Sequence, residues 1–214
     1  SKSRTCLIVF VFASIHGAAS YVNGALYSND MEPFDLYRDR EIAIPAPADQ
    51  TRLNEWYGDE AARFIKAHSS SHFFLYLPHN FPHIPLYAAE NNIGRSAAGL
   101  YGDVVESLDD LVDKVVKTLE SEGVLDNTLI LITSDNGPWY QGSTGGDRGR
   151  KGETFEGGMH VPMIVHWPSV LPAGQSLDGL SMGTDWFPTI LDWLQLPLPA
   201  DRIIDGRALR AMLA

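Results

Sequence analysis

Short apolar runs alternate with amphipathic helical stretches along this chain, and this alternation constrains its fold more than any other feature. Helical spacing of apolar residues extends over Thr51–His68 and Tyr101–Glu122. Mainly apolar runs predict strands at Phe73–Leu77, Leu129–Thr133 and Val161–Trp167, and the first of them is typical of a strand that is buried on both faces. Helices that alternate with such strands predict an α/β fold in which helices flank a sheet.

A further apolar run near the N-terminus has two interpretations. Two basic residues precede Cys6–Ile15 and the small residues Gly17–Ser20 follow it, an order that is typical of a secretory signal. The run is too short to span a bilayer. Because isoleucine, valine and phenylalanine dominate it, the run also fits a buried strand over Thr5–Ala13. The first interpretation predicts a secreted or periplasmic protein, and both remain open.

The charge of the chain restricts its partners. The 214 residues include 27 acidic and 16 basic side chains, which gives a formal net charge of -11. Such a surface repels nucleic acid and anionic membranes, so we expect no nucleic-acid partner and a local cationic pocket for any anionic substrate. The single cysteine excludes an internal disulfide and a cysteine zinc site. We also expect no transmembrane segment, and the sequence makes no prediction about the oligomeric state.

The first predicted strand end carries two histidines, His79 and His83, within Pro78–Pro85. Their spacing of four would suit a metal pair on a helix, but the prolines of this segment exclude a helix. Ligands of α/β sheets usually bind at strand ends, where an imidazole can donate to an anionic oxygen or act as a general acid. A structural loop whose histidines bond to backbone carbonyls is the alternative.

The second strand end is followed by Asp135-Asn136-Gly137. A carboxylate beside a carboxamide offers two hard oxygen ligands, which suit calcium or magnesium better than zinc. An ordinary Asn-Gly hairpin turn is the alternative. The hairpin is disfavoured because a long glycine-rich loop follows, rather than a second strand.

The third candidate is the glycine-rich loop itself, which holds three cations, Arg148, Arg150 and Lys151. The loop lacks the Gly-X4-Gly-Lys-Ser/Thr pattern of a phosphate loop. A lysine beside a glycine, as in Lys151-Gly152, can still approach a bound oxyanion closely. A solvated surface loop is the alternative.

Taken together and in this order, the motifs at these strand ends resemble the sulfatase family, specifically its arylsulfatase branch in the alkaline-phosphatase superfamily. The resemblance extends over Leu26–Ala214, while residues 1–25 are a candidate signal peptide or a segment without a counterpart. The matching segments are Phe73–His79, Pro82–Leu86, Thr133–Pro138 and Lys151–Gly158.

The resemblance implies a mixed sheet flanked by helices and the hydrolysis of sulfate esters with a divalent metal. Asp135 and Asn136 would be ligands of Ca²⁺, with Mg²⁺ as the alternative ion. Lys151 would bind the sulfate, and His83 would contact the sulfate and protonate the leaving oxygen, so these two are the candidate catalytic residues. His79 is a further candidate for substrate binding, at the pocket rim. The implied partner is a small sulfated substrate, namely an aryl, sugar or sterol sulfate.

Three departures from the family pattern accompany the resemblance. The family's nucleophile is a formylglycine made from a Cys-X-Pro-Ser-Arg motif, which does not occur in these 214 residues, and Cys6 is followed by Leu-Ile-Val. His160 and Arg150 stand where the pattern has an arginine and a glycine. We therefore expect a partial chain of a sulfuric ester hydrolase, with a catalytically inactive calcium- and anion-binding module as the alternative. A phosphoesterase of the same superfamily would need further metal ligands.

Overall fold

The computed structural model describes residues 6–12 and 33–213. The strands of this part are β1 (Cys6–Phe12), β2 (Leu36–Arg38), β3 (Glu41–Ile44), β4 (Phe74–His79), β5 (Thr128–Ser134) and β6 (Met163–His166). The α-helices are α1 (Leu53–His68), α2 (Gly99–Ser121), α3 (Glu156–Met159), α4 (Trp186–Trp193) and α5 (Arg210–Leu213). Within these described residues, none of the helices combines the length and apolarity that a bilayer span requires.

A four-stranded mixed sheet in the order β4-β1-β5-β6 organises the fold. β1 pairs in parallel with both β4 and β5, and β6 runs antiparallel to β5. Phe12 is in register with His79 on one side and with Ser134 on the other, so the carboxyl ends of three strands meet at one edge. The predicted α/β class, a mixed sheet flanked by helices, is confirmed.

The apolar run near the N-terminus forms a central strand of this sheet. β1 lies within the strand interpretation, Thr5–Ala13. β1 lies between β4 and β5 in the sheet, and each of these two strands pairs with β1 rather than with the other. The other residues of the candidate signal segment, 1–5 and 13–25, lie outside the described residues.

The helices α1 and α2 cover one face of the sheet. The α1 region begins at Asp49, whose carboxylate accepts a hydrogen bond from the N–H of Thr51 at 3.0 Å. α2 is followed by Gly123, which has a φ of 68° and so ends the helix in the left-handed conformation. The buried cluster on this face comprises Cys6, Ala61, Ile65, Phe73, Leu111, Val115, Leu119 and Ile130.

The helices α4 and α5 cover the opposite face. Leu129 and Leu131 of β5 pack into this second layer because alternate residues of a strand point to opposite sides. Asp185 joins two segments of this layer, because its carboxylate accepts hydrogen bonds from the backbone N–H groups of Met182 and Arg207, each at 2.8 Å. The second buried cluster comprises Leu129, Leu131, Trp167, Trp186, Leu209 and Leu213.

β4 differs from the prediction of a strand that is buried on both faces. Phe74 and Tyr76 are 58% and 52% exposed. The reason is position, since β4 is an edge strand of the described sheet and these alternate residues point away from α1 and α2. The strand also extends beyond Leu77 to include His79.

Candidate active site

The glycine-rich loop folds back against the end of β5. The N–H of Gly137 donates to the carbonyl of Gly158 at 2.9 Å. The N–H of Lys151 donates to the carbonyl of Pro138 at 3.1 Å. These two bonds place Lys151 near Asp135, which lies just beyond the strand.

Glycines make this close return possible. A Cβ atom on Gly157 would overlap the carbonyl oxygen of Gly149, and one on Gly158 would overlap the carbonyl oxygen of Glu153. A Cβ atom on Gly137 would in turn overlap the carbonyl oxygen of Gly157. The three glycines therefore act by letting backbone segments touch, which no residue with a side chain allows in this arrangement.

Lys151 and Asp135 interact electrostatically at this strand end. Lys151 is half-buried, and burial lowers the pKa of its ammonium group because water is removed from the charge. The carboxylate of Asp135 opposes this effect and raises that pKa. Asp135 itself is exposed and Asn136 is half-buried. An ammonium and a carboxylate thus lie near one another at an accessible position, which suits an anion that is bound together with a metal cation.

His79, the last residue of β4, is fully buried. Its ring lies edge-to-face against Tyr57, with the two centroids 5.6 Å apart. Burial lowers the pKa of His79 to about 4, so the imidazole is neutral at pH 7. The structure therefore places His79 in the interior and not at an open rim. Its contribution to substrate binding stays a prediction.

His83 lies in the loop that follows β4 and is half-buried. Its Nδ1 bonds to the carbonyl of Ile84. Because a carbonyl only accepts, Nδ1 carries the hydrogen, which makes Nε2 the ring atom that can exchange a proton with a ligand. The loop is held through Asn80, whose side chain accepts the hydroxyl of Tyr57 at 3.0 Å and whose carbonyl accepts the N–H of His83 at 3.2 Å.

The predicted site residues thus fall into two groups at one edge of the sheet. Asp135, Asn136 and Lys151 form the first group, at the end of β5. The histidine loop forms the second, across β1. His79 and Ser134 are both in register with Phe12, so their Cα atoms are about two strand spacings, or about 10 Å, apart.

The first group supplies part of the ligand set for a hard cation. The carboxylate of Asp135 and the carboxamide oxygen of Asn136 are donors of the type that Ca²⁺ and Mg²⁺ prefer. Ca²⁺ takes about six to eight oxygen ligands. Within residues 6–12 and 33–213, no group of three or more His, Cys, Asp and Glu side chains is arranged to hold a metal ion. The chemistry of the two donors fits the ion, and further ligands are required.

Arg150 has a role that the sequence pattern did not reveal. Its Nη1 donates to the carbonyls of Trp139 and Gly142, each at 3.0 Å. The guanidinium carbon also lies 5.2 Å from the ring centroid of Tyr140. Arg150 therefore connects the two sides of the loop. The available sequence signal was the aromatic pair Trp139-Tyr140 beside a cluster of cations.

Sequence comparisons associate this arrangement with one family. The family model described as Sulfatase matches residues 11–196. The chain is 36% identical to human steryl-sulfatase over 188 residues, covering 83% of this chain and 32% of that protein. It is 37% identical to rat N-acetylgalactosamine-6-sulfatase over 197 residues, covering 84% of this chain and 38% of that protein. The chain thus spans about a third of the length of these curated relatives.

A solved structure shares the fold. The crystal structure of the PsFucS1 sulfatase from Pseudoalteromonas sp. matches with a TM-score of 0.73 and 32% sequence identity, covering 81% of this chain and 37% of that one. The family match begins at residue 11, and so includes residues 11–25, for which the motif resemblance gave no counterpart. The extent of the match, together with the motifs at the strand ends, shows that this chain belongs to the sulfatase family.

Proposed function

We propose that this chain forms the sulfate-binding part of the active site of an arylsulfatase-like sulfuric ester hydrolase. The proposal rests on the position of Lys151, which the loop holds near Asp135 at the carboxyl end of β5. Parallel strand ends are the usual binding edge of an α/β sheet. A half-buried ammonium group there supplies positive charge to a bound sulfate oxygen with less screening than a solvated lysine would give.

Asp135 and Asn136 would hold the divalent cation, which we propose to be Ca²⁺ with Mg²⁺ as the alternative. When bound, such an ion neutralises sulfate charge. The oxygen that leaves as the S–O bond breaks must receive a proton. We assign this transfer to Nε2 of His83 in its imidazolium form, which leaves the imidazole neutral with its hydrogen on Nδ1, because Nδ1 is engaged with the carbonyl of Ile84. The family's formylglycine nucleophile is expected in the protein, but its Cys-X-Pro-Ser-Arg motif is not among these 214 residues.

The substrate is a small sulfate ester. Sterol, sugar and aryl sulfates all remain within the proposal, since the relatives include a steryl-sulfatase, an N-acetylgalactosamine-6-sulfatase and arylsulfatase D. The predicted secreted or periplasmic location remains part of the proposal and depends on the signal-like order at the N-terminus.

Turnover of 4-nitrophenyl sulfate in the presence of calcium, by the protein that includes its formylglycine segment, tests the activity. Replacing Lys151 by Ala should lower kcat/KM by about a hundredfold or more, the usual loss when a group that stabilises transition-state charge is removed. Lys66→Ala, which removes an exposed lysine at the end of α1, serves as the control and should leave kcat/KM unchanged. Equal activity of Lys151→Ala and wild type would refute the assignment. Absence of turnover in the wild type, with calcium and sulfate still raising the melting temperature, would favour an inactive binding module.

Calcium binding can be measured without turnover. Calcium at a concentration well above its Kd should raise the melting temperature of the wild type, because a ligand of the folded state stabilises it. Asp135→Ala should abolish this shift, whereas Asp178→Ala, at an exposed carboxylate elsewhere, should keep it. A shift of the same size in Asp135→Ala would show that the metal binds elsewhere, and parallel titrations with Mg²⁺ identify the preferred ion.

A further inference from the structure

A polar depression of about 370 Å³ opens on the glycine-rich loop that carries Lys151. Five of its six lining residues lie between Pro138 and Lys151, whose backbone hydrogen bond closes this part of the loop, so the depression and the proposed sulfate ligand belong to one loop. Arg150, which lines it, directly precedes Lys151 in the chain. The lining residues are Tyr140, Thr144, Asp147, Gly149, Arg150 and Glu153.

One wall is an exposed but fixed aromatic ring. Tyr140 is 66% exposed. Trp139 packs edge-to-face against it with centroids 4.8 Å apart, and the Arg150 guanidinium lies 5.2 Å from the ring. Arg150 is itself held by two backbone carbonyls. A ring that is supported from its neighbours and open to solvent can stack on a ligand with little loss of side-chain entropy.

The remaining lining is polar and carries two carboxylates. Asp147 interacts with Nδ1 of His160 at 3.0 Å, which orients one of its oxygens. The Glu153 carboxylate lies beside Gly149, since a Cβ atom built on Gly149 would be 3.1 Å from Glu153 Oε2. Carboxylates accept hydrogen bonds from hydroxyl groups, whereas they repel further sulfates or uronates on a ligand.

We propose that this depression binds the sugar portion of a monosulfated, otherwise uncharged hexose or N-acetylhexosamine, a proposal that rests on the proposed function. A sugar has both apolar ring faces, which suit Tyr140, and hydroxyl groups, which suit Asp147 and Glu153. A sterol offers a large apolar surface and no row of hydroxyls, so it would leave the carboxylates desolvated without donors. The lining therefore favours a sugar sulfate over a sterol sulfate.

A comparison of kcat/KM for two sulfate esters, in the protein that includes its formylglycine segment, tests this subsite. Galactose 6-sulfate probes the sulfate site and the depression together, while 4-nitrophenyl sulfate lacks the sugar hydroxyls. Tyr140→Ala should lower the ratio of kcat/KM for the sugar sulfate to that for the aryl sulfate by about tenfold. Tyr140→Phe keeps the ring and should change the ratio less than twofold. An unchanged ratio in Tyr140→Ala, or a higher kcat/KM for dehydroepiandrosterone sulfate than for galactose 6-sulfate, would overturn the proposal.

A binding measurement separates this subsite from the proposed function. Saturation-transfer NMR with unsulfated galactose should detect binding to the wild type and to Lys151→Ala, because a neutral sugar needs no sulfate contact. Tyr140→Ala should lose the signal while keeping the wild-type melting temperature, since the ring is exposed. Galactose binding that persists in Tyr140→Ala, or that is absent from the wild type, would refute the subsite. Galactose binding without any sulfate ester turnover, in the protein that includes its formylglycine segment, would refute the hydrolase proposal alone.

Discussion

At the scale of single residues, His79 shows how strongly position changes a side chain that the sequence presents as reactive. It ends an edge strand, yet it is fully buried against Tyr57. Burial lowers the pKa of its imidazole to about 4 from the usual 6.5. The unfolded chain consequently binds a proton at His79 in a pH range where the folded chain does not.

This difference predicts a pH dependence of stability. The folded pKa of His79 lies below the unfolded value, so stability is fully present above about pH 6.5 and is lost as the pH falls towards about 4. Between pH 7 and pH 5 the wild type should lose about 2 kcal/mol more unfolding free energy than His79→Gln in urea titrations. His72→Gln, at an exposed histidine, should retain the wild-type loss. The same loss in His79→Gln as in the wild type would assign the effect to other groups.

The three cations of the glycine-rich loop show what sequence alone cannot resolve. They lie within four positions and look equivalent in the sequence. In the structure, Arg148 lies over the ring of Phe155 at 3.7 Å, Arg150 bonds to two carbonyls, and Lys151 lies near a carboxylate. The prediction of Lys151 as the anion ligand came from the motif. The contacts of Arg148 and Arg150 depend on how the loop folds, and residues adjacent in the sequence do not determine that fold.

At the scale of elements, the loop between β5 and β6 depends on contacts between backbones. Gly157 and Gly158 are buried where the loop crosses itself. This crossing fixes the backbone around Lys151, because the N–H of Gly157 donates to the carbonyl of Arg148 at 2.8 Å. A side chain at the crossing should therefore disturb both stability and anion binding.

Gly157→Ala tests this dependence. The added methyl group would overlap the carbonyl oxygen of Gly149, and we expect a loss of about 1–3 kcal/mol of unfolding free energy together with weaker sulfate binding. The matched control is Gly183→Ala, since a Cβ atom at Gly183 meets no other atom within 4 Å. Urea unfolding and sulfate titration measure the two effects. Indistinguishable behaviour of the two variants would show that the loop relaxes at Gly157 without consequence.

Helices were easier to predict than the burial of strands. α1 ends at His68 as the periodicity predicts, and α2 ends within one residue of Glu122, because apolar spacing and Gly123 are local signals. The apolar composition of Phe73–Leu77 predicts a strand but not its place in the sheet. Whether such a strand is central or at an edge depends on distant pairing partners, so the exposure of Phe74 and Tyr76 could not be read from the run itself.

At the scale of the whole molecule, the described sheet has apolar side chains on an exposed edge. Phe74 and Tyr76 project from β4, and Ile164 on β6 at the opposite edge is 56% exposed. Edge strands with exposed apolar residues favour pairing with another chain.

The position of β1 between β4 and β5 is also a property of the whole molecule. It was not predictable, because strand order depends on contacts between residues far apart in sequence.

The 214-residue chain should therefore self-associate in a concentration-dependent manner. Tyr76→Lys should weaken this association about tenfold in sedimentation measurements, since a charged edge disfavours pairing. Ile203→Lys makes a similar change at a residue that is 91% exposed but belongs to no strand, and it should leave association unchanged. A monomeric wild type, or equal effects of the two substitutions, would contradict this prediction.

The antiparallel return of β6 has a consequence for variation within the family. Thr133 is in register with Met163, so residues 135–162 leave and re-enter the sheet on adjacent strands, about 5 Å apart. Lengthening a loop with closed ends costs little, about 0.6 kcal/mol for each doubling of its length. Insertions can therefore reshape the rim around Lys151 while the sheet keeps its register. Under the proposed function, substrate range can then diversify through the length of one loop, without any change in the strands that support it.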